Sequence, residues 1–467
     1  MNAKPHLTVE LVAHASLKIR TYDCCVLCDP WYLGTCFNEG WALSPAPDLE
    51  QLDLSDVTHL WISHEHPDHM HFPTLRWIAD QLDPGKVTFL FQRTNSDKVF
   101  EAMAKLGFTN CRAMDHMTPL RISPTVDLFV YAHRLLDAAL GVIWNGQNAL
   151  LNINDTELNQ ADCRYITQRF GSFPYLANQF SIAGFDGVYD DEVMKGCTSE
   201  VLEKVVAQHR WLGAQYTIPM ASFMYFCCPD NHGLNRYRST VPDMCRTLED
   251  QGLAPLVLRP GGLGLNLAAA DIQAANVPEG LSDQGTSYFQ HFYQTEHMPV
   301  ITPADNRVEI DAIRASFAER TRKWRAHTLG YFYRRLGRVP TWIDDLGQGV
   351  ILDFQTCQIV DAPAVTRDTA DLIIASQPLD FAFRWPFGVQ TLGVSGRLRF
   401  RSRVPQNWRW VRMISSLHNS DVHLGFGSLF RRATLAWFWQ RRRGLLGQAL
   451  QQIRFSRRIF SRVGAKG

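Results

Sequence analysis

Short runs rich in β-formers, broken by turn residues, open the chain. Residues 7–13 and 16–21 form two such runs, and 24–28 continues the pattern until Asp29-Pro30 stops it. The stretches 57–63, 86–92 and 126–132 predict further strands, and 148–153 predicts one directly after the Asn145-Gly146 turn signal. Residues 73–81 and 95–106 carry apolar positions at helical spacing instead. Strands interleaved with helices predict a layered α/β or α+β domain over residues 1–275.

The pattern dissolves over 276–305, where Pro278, Gly280, Gly285, Pro299 and Pro303 accumulate, so this stretch reads as a linker. A charged amphipathic helix is expected over 307–336, then strands at 349–354 and 371–375 and a β-rich stretch at 390–400. Together, 306–430 predicts a second α+β domain. Residues 431–467 form a tail with Leu446, Ala449, Leu450 and Ile453 at helical spacing.

Charge separates these regions. The chain has 467 residues and a formal net charge of +1. Residues 381–467, however, hold 17 Lys and Arg against Asp421 alone, whereas 1–380 hold 30 against 45 acidic residues. The tail itself carries ten basic residues and no acidic one. That tail is expected to dock on the acidic body or on an anionic membrane surface. No nucleic-acid reading motif accompanies the charge, so no specific nucleic-acid partner is expected. No apolar run reaches the ~18–20 residues that span a bilayer. The first residues lack an apolar signal core, and eleven cysteines are scattered without a framework. Both point to a reducing cytoplasm, with the tail permitting attachment to the inner face of the membrane.

Candidate chemistry concentrates at His64-Glu65-His66-Pro67-Asp68-His69, directly after a predicted strand. In extended chain, residues two apart point the same way, so His64 and His66 can face one metal ion. If a helix starts near Pro67, Asp68 and His69 lie on its first turn and can serve a second ion. The donors are nitrogen and oxygen, which suits zinc, iron or manganese. Cys25 and Cys28 lie three apart in a strand and face opposite sides, so they read as core thiols.

The hexapeptide matches the H-x-H-x-D-H hallmark at every specified position, and the chain resembles the metallo-β-lactamase fold superfamily. Asp29-Pro-Trp-Tyr-Leu-Gly34 and Phe37-Asn-Glu-Gly-Trp41 narrow the resemblance to the branch of CMP-N-acetylneuraminate hydroxylases, itself similar to L-ascorbate-6-phosphate lactonases. The resemblance covers about residues 6–240 and implies an αββα sandwich with two divalent metal ions at the strand ends. It implies His64, His66 and a later histidine, placed at His133, on one ion. Asp68, His69 and a final ligand would hold the other, with Asp155 as bridge. The family's P-x-A-S-F segment is matched from Pro219, but Cys228 stands where a histidine is usual and His232 follows four residues on. The last ligand is therefore His232 or Cys228, with His232 preferred. His14 matches a strand-linking position and is expected to be structural.

Two reactions on a small-molecule substrate fit these ligands. Hydrolysis of a phosphoester, lactone or amide comes first, with zinc as metal and Asp68 as catalytic proton carrier. Di-iron monooxygenation comes second. No Cys-x-His and Cys-x-x-His pair is found, so the vertebrate enzymes' Rieske module is not expected, and an oxygenase would draw electrons from a separate reductase. A degenerate site kept for binding ranks third. Elemental analysis of protein purified without added metal should find up to two transition-metal ions per chain; a metal-free preparation would contradict the ligand assignment.

Overall fold

The structure is a computed structural model. It describes residues 6–94, 96–133, 137–262, 264–267, 298–301 and 307–419, with isolated positions between 427 and 442. Most of the predicted linker and nearly all of the basic tail lie outside the described residues. Among the described residues, no helix is long and apolar enough to cross a membrane.

The first half of the N-terminal domain contributes β1 (Thr8–Ala13), β2 (Ser16–Arg20), β3 (Cys25–Cys28), β4 (Thr35–Cys36), β5 (Trp41–Leu43), β6 (His59–Ile62), β7 (Thr88–Gln92) and β8 (Cys111–Met114). The second half contributes β9 (Leu120–Arg121), β10 (Val126–Ala132), β11 (Ala138–Trp144), β12 (Gln147–Asn154), β13 (Tyr175–Gln179), β14 (Tyr216–Met220), β15 (Met224–Phe226), β16 (Ala254–Pro255) and β17 (Leu265–Asn266). Two seven-stranded sheets result, ordered β17-β1-β2-β3-β6-β7-β8 and β16-β14-β13-β12-β11-β10-β9. Each begins with antiparallel hairpins and continues with parallel strands.

Alternation along the strands splits the side chains between layers. Leu17, Val26, Leu128, Val130, Leu140 and Ile218 fill the space between the sheets. Leu27, Leu60, Phe89 and Phe91 face outward, against α1 (Phe72–Gln81) and α2 (Lys98–Lys105). Phe129, Leu151 and Ile153 pack outward with Ile166 of α3 (Gln160–Phe170) and Leu212 of α4 (Asp191–Leu212). This is the αββα sandwich that the resemblance implied. Cys25 and Cys28 fall into different cores, as their spacing predicts.

Capping fixes the helix starts that border the site. His71 caps α1, its Nδ1 accepting from the Thr74 amide at 3.4 Å. The helix therefore begins at Phe72 and not near Pro67, and Asp68 and His69 sit in a turn. Asn159 and Asp162 form a capping box on α3. α5 (Val241–Glu249) has another, from Thr240 and Asp243.

The C-terminal part has its own core around a sheet of β18 (Arg338–Ile343), β19 (Gln348–Asp353), β20 (Gln358–Asp361), β21 (Leu372–Ile374) and β22 (Arg399–Phe400). Its helices are α6 (Ile310–His327), the short α7 (Gly330–Tyr333), α8 (Ser376–Arg384), α9 (Gly388–Ser395) and α10 (Gln406–Asn419). The single helix expected over 307–336 breaks at Thr328, whose backbone is extended. The β-rich stretch expected at 390–400 is mostly α9. Val389 and Leu392, three apart, are buried on one helical face, and Gly396 ends the helix in the left-handed conformation that glycine adopts without steric cost.

The two parts meet closely. Trp41 Nε1 donates to Val394 O at 3.0 Å, and the Phe185 amide donates to Gly393 O at 2.7 Å. A Cβ on Gly40 would lie 2.6 Å from Ser395 Cβ, so only glycine permits this approach. Arg397 is buried and joins three segments. Its Nε donates to Asp230 Oδ2 at 3.0 Å, and its Nη1 donates to Asn38 O at 2.9 Å and Gln377 Oε1 at 3.1 Å. Replacing Arg397 with alanine strands these acceptors and should destabilise the protein by about 2–3 kcal/mol. Urea denaturation followed by tryptophan fluorescence measures this; Arg397→Lys should not restore stability, because one ammonium cannot replace a planar fork.

Candidate metal centre

The site forms where β3, β6 and β12 end. Asp29 follows β3 with φ 43°, a left-handed conformation. Its Oδ1 accepts the Ser63 amide at 2.7 Å, tying it to the end of β6. Beyond Ser63 the chain turns tightly: the His69 and Met70 amides both donate to His66 O, at 3.0 and 2.8 Å. This turn folds the motif back over the strand ends. β12 delivers Asp155 just past Asn154, which also has positive φ.

Two groups of donors converge here, each with its ligand atoms within 4.8 Å of one another. One is His64, His66 and Asp155; the other is His14, Asp68 and His69. In the first, His64 Nε2 and His66 Nδ1 are 2.7 Å apart. In the second, Asp68 Oδ2 lies 3.2 Å from His14 Nε2 and 3.4 Å from His69 Nε2. Asp155 Oδ2 stands between the groups, 3.6 Å from both His64 Nε2 and His69 Nε2.

The electrostatics suit cations. Burial alone disfavours charge on His69, yet Asp68, Asp155 and Asp29 together hold it well above the usual histidine range. Burial likewise opposes ionisation of Asp68 and Asp155. His69 and His14 nevertheless hold Asp68 well below the usual carboxylate range, and His64 and His69 hold Asp155 below it. Burial pushes His14 and His66 down, which favours the neutral, metal-binding imidazole. His69 Nε2, Asp68 Oδ1 and Asp155 Oδ1 are buried without a hydrogen-bond partner. Unpaired nitrogen and oxygen donors around a negative core fit divalent zinc, iron or manganese. His69 Nδ1 is hydrogen-bonded to Ser63 Oγ at 3.2 Å with Asp29 Oδ2 beside it at 3.1 Å as a charge partner, and Nε2 is turned to the cluster.

The remaining expected residues join neither donor group. His133 ends β10, but its Nε2 is 3.3 Å from Asp162 Oδ2, the acid of the α3 capping box, and it joins neither group. Cys228 and His232 join neither group as well. β15 pairs with β5 in the small β15-β5-β4 sheet and carries its continuation toward residues 298–301. There Cys228 Sγ donates to Glu39 O at 3.0 Å, and His232 Nε2 is 2.9 Å from Met298 O. His14, expected to be structural, stands inside the cluster instead. Its signal in the sequence was a histidine in the two-residue link between two apolar strands. Asp29 was legible only as a strand-ending acid.

An αββα sandwich with a buried histidine–aspartate cluster at its strand ends is thus the class of molecule defined by fold and site. No protein-family model matches the chain. Among curated proteins it is similar to cytidine monophosphate-N-acetylneuraminic acid hydroxylases. That of Asterias rubens is 36% identical over 69 residues, 15% of this chain and 11% of that protein. That of Danio rerio is 31% identical over 163 residues, 33% of this chain and 26% of that protein. The matches therefore span about a quarter or less of these relatives. They fall in the branch that the Asp29-Pro30-Trp31 segment resembles. Among solved structures, the chain is similar to Igni18, a metallo hydrolase from Ignicoccus hospitalis (14% identity, 56% of this chain, 98% of that one, TM-score 0.40). It is also similar to CmlA, a diiron beta-hydroxylase from Streptomyces venezuelae (15% identity, 56% of this chain, 55% of that one, TM-score 0.41).

Removing the carboxylate behind His69 should loosen the centre without removing a ligand. Asp29→Ala is expected to weaken metal binding about 10–100-fold, read by competition with a chromophoric chelator. Unchanged affinity would show that Asp29 serves only the Ser63 tie.

Proposed function

We propose that the chain is a metal-dependent enzyme that holds two divalent cations and uses an activated water to hydrolyse a phosphoester, lactone or amide. The position of Asp155 Oδ2, equally far from His64 Nε2 and His69 Nε2, carries this reading, because a bridging carboxylate is what a paired centre needs. A bound pair of such ions supplies Lewis acidity and a hydroxide near neutral pH. His64, His66 and His69 offer nitrogen donors, and Asp155 joins the two halves. Asp68 stays ionised under the hold of His14 and His69. Its part is to hold charge and to receive a proton at Oδ1, the oxygen without a hydrogen bond. The buried surroundings strengthen each of these interactions by excluding water.

A cavity of about 330 Å³ beside the motif suits a small molecule. Phe37, Asn38, Glu39, Pro67 and Met70 line it from the N-terminal domain, and Phe381 closes it from the C-terminal part. The Phe37 ring centroid is 5.9 Å from that of His66, so the cavity adjoins the metal-binding loop. The C-terminal part thus lends a wall to the substrate site.

A second reading is monooxygenation by two irons, with electrons from a separate reductase. The local likeness to named hydroxylases supports it, and the nitrogen and oxygen donors accept iron as readily as zinc. Metal content and dioxygen uptake separate the readings. Zinc or manganese with no substrate-linked dioxygen uptake is the expected result; iron with uptake coupled to a reductant would replace hydrolysis by hydroxylation. Under either reading, Asp68→Asn should lower turnover by several orders of magnitude, roughly the range for a lost ligand charge and proton acceptor. A fully active Asp68→Asn variant would refute its role.

A further inference from the structure

His14 is the one member of the cluster that lies outside both the motif and the strand end carrying Asp155. It occupies the tight link between β1 and β2, with φ 34°. A side chain in a strand would face one side of the sheet. The left-handed turn instead places this imidazole at the strand ends, with Asp68. The backbone there is anchored from the second sheet: the Ala221 amide, just past β14, donates to His14 O at 2.8 Å. Ala221 also has positive φ. The ring is buried, packed edge-on against Trp31 with centroids 5.3 Å apart and tilted against Trp41 at 6.4 Å. It has little room to turn away. Its Nδ1 has no hydrogen-bond partner, so its polar engagement is with the cluster through Nε2.

We propose that His14 is a metal ligand, supplying the third protein donor to the ion held by Asp68 and His69. This rests on the dinuclear reading above and extends it. With His14 the second half of the centre has two nitrogens and one carboxylate oxygen, all buried, matching the three donors of the first half. The segment continuing from β15 then needs to contribute no ligand. Cys228 and His232 have partners of their own at Glu39 and Met298. The alternative role for His14 is positioning alone, with Nε2 donating to Asp68 Oδ2 and touching no metal.

Cobalt(II) titration of the metal-stripped full-length protein distinguishes these roles, because the visible d–d bands report the ligands of each ion. Wild type should bind two ions. His14→Ala should bind one tightly and lose the bands of the second, and millimolar imidazole should restore both. Cys228→Ser and His232→Ala should bind two with wild-type spectra. His14→Asn, closer in size, is measured in parallel in case the alanine variant does not fold. A folded His14 variant that binds two ions with unchanged bands overturns the proposal, as does a loss that imidazole fails to reverse, which would assign His14 to positioning. Loss of an ion in Cys228→Ser or His232→Ala with His14→Ala unaffected also overturns it. Failure of wild type to bind any cobalt would instead defeat the dinuclear reading itself.

Discussion

The buried carboxylate of Asp29 joins the sheet to the site. One oxygen accepts the Ser63 amide where β6 ends, and the other lies against His69 Nδ1. Removing a charged group from water is costly unless it is fully engaged. In Asp29 one oxygen is hydrogen-bonded to the Ser63 amide and the other has only the charge of the His69 ring beside it, and these two contacts tie the turn between Ser63 and Met70 to the end of β3. The positions of His64, His66, Asp68 and His69 follow from that turn.

The cluster repeats this logic at higher charge. Four imidazoles and two carboxylates converge from the β1–β2 link, the turn after β6 and the end of β12. In a medium of low dielectric, unpaired donors and acceptors are expensive. The arrangement is reasonable as a receptacle for cations, which would engage Asp68 Oδ1, Asp155 Oδ1 and His69 Nε2 together. Stability is given up locally for binding capacity. The sandwich can bear it, since three apolar cores surround the site on both sides of the two sheets.

The C-terminal part is more than an appendage to this scaffold. Arg397, Val394 and Ser395 bind the loop that follows β4 and the segment after β15, while Phe381 and Thr391 border the cavity beside the motif. Lys98 of α2 reaches Asn419 O at 3.1 Å and lies 3.4 Å from Glu65 within the motif. The turn that carries the histidine–aspartate motif is thereby linked to both parts of the chain.

Local signals carried much of this. The alternation in β1, β2, β10 and β12 and the spacing in α1 and α2 are properties of neighbouring residues, and they showed in the sequence. The six-residue motif was legible for the same reason: its donors are adjacent in the chain and need only one turn to converge. Gly388–Ser395 misled, because β-formers and turn residues outweighed the apolar spacing that tertiary burial rewards. Candidate donors distant in sequence were the hardest. Cys228 and His232 looked suitable by order along the chain, but strand pairing of β15 with β5 carries their segment to other partners. His133, a strand-ending histidine, has the capping acid of α3 beside it and stands outside both donor groups. His14 looked structural, and only the packing of two sheets, with Ala221 bound to its carbonyl, brings it beside Asp68. Chain order is a one-dimensional record, whereas coordination needs donors within a few ångströms in three dimensions, and for residues this far apart the packed sheets alone decide which ones arrive.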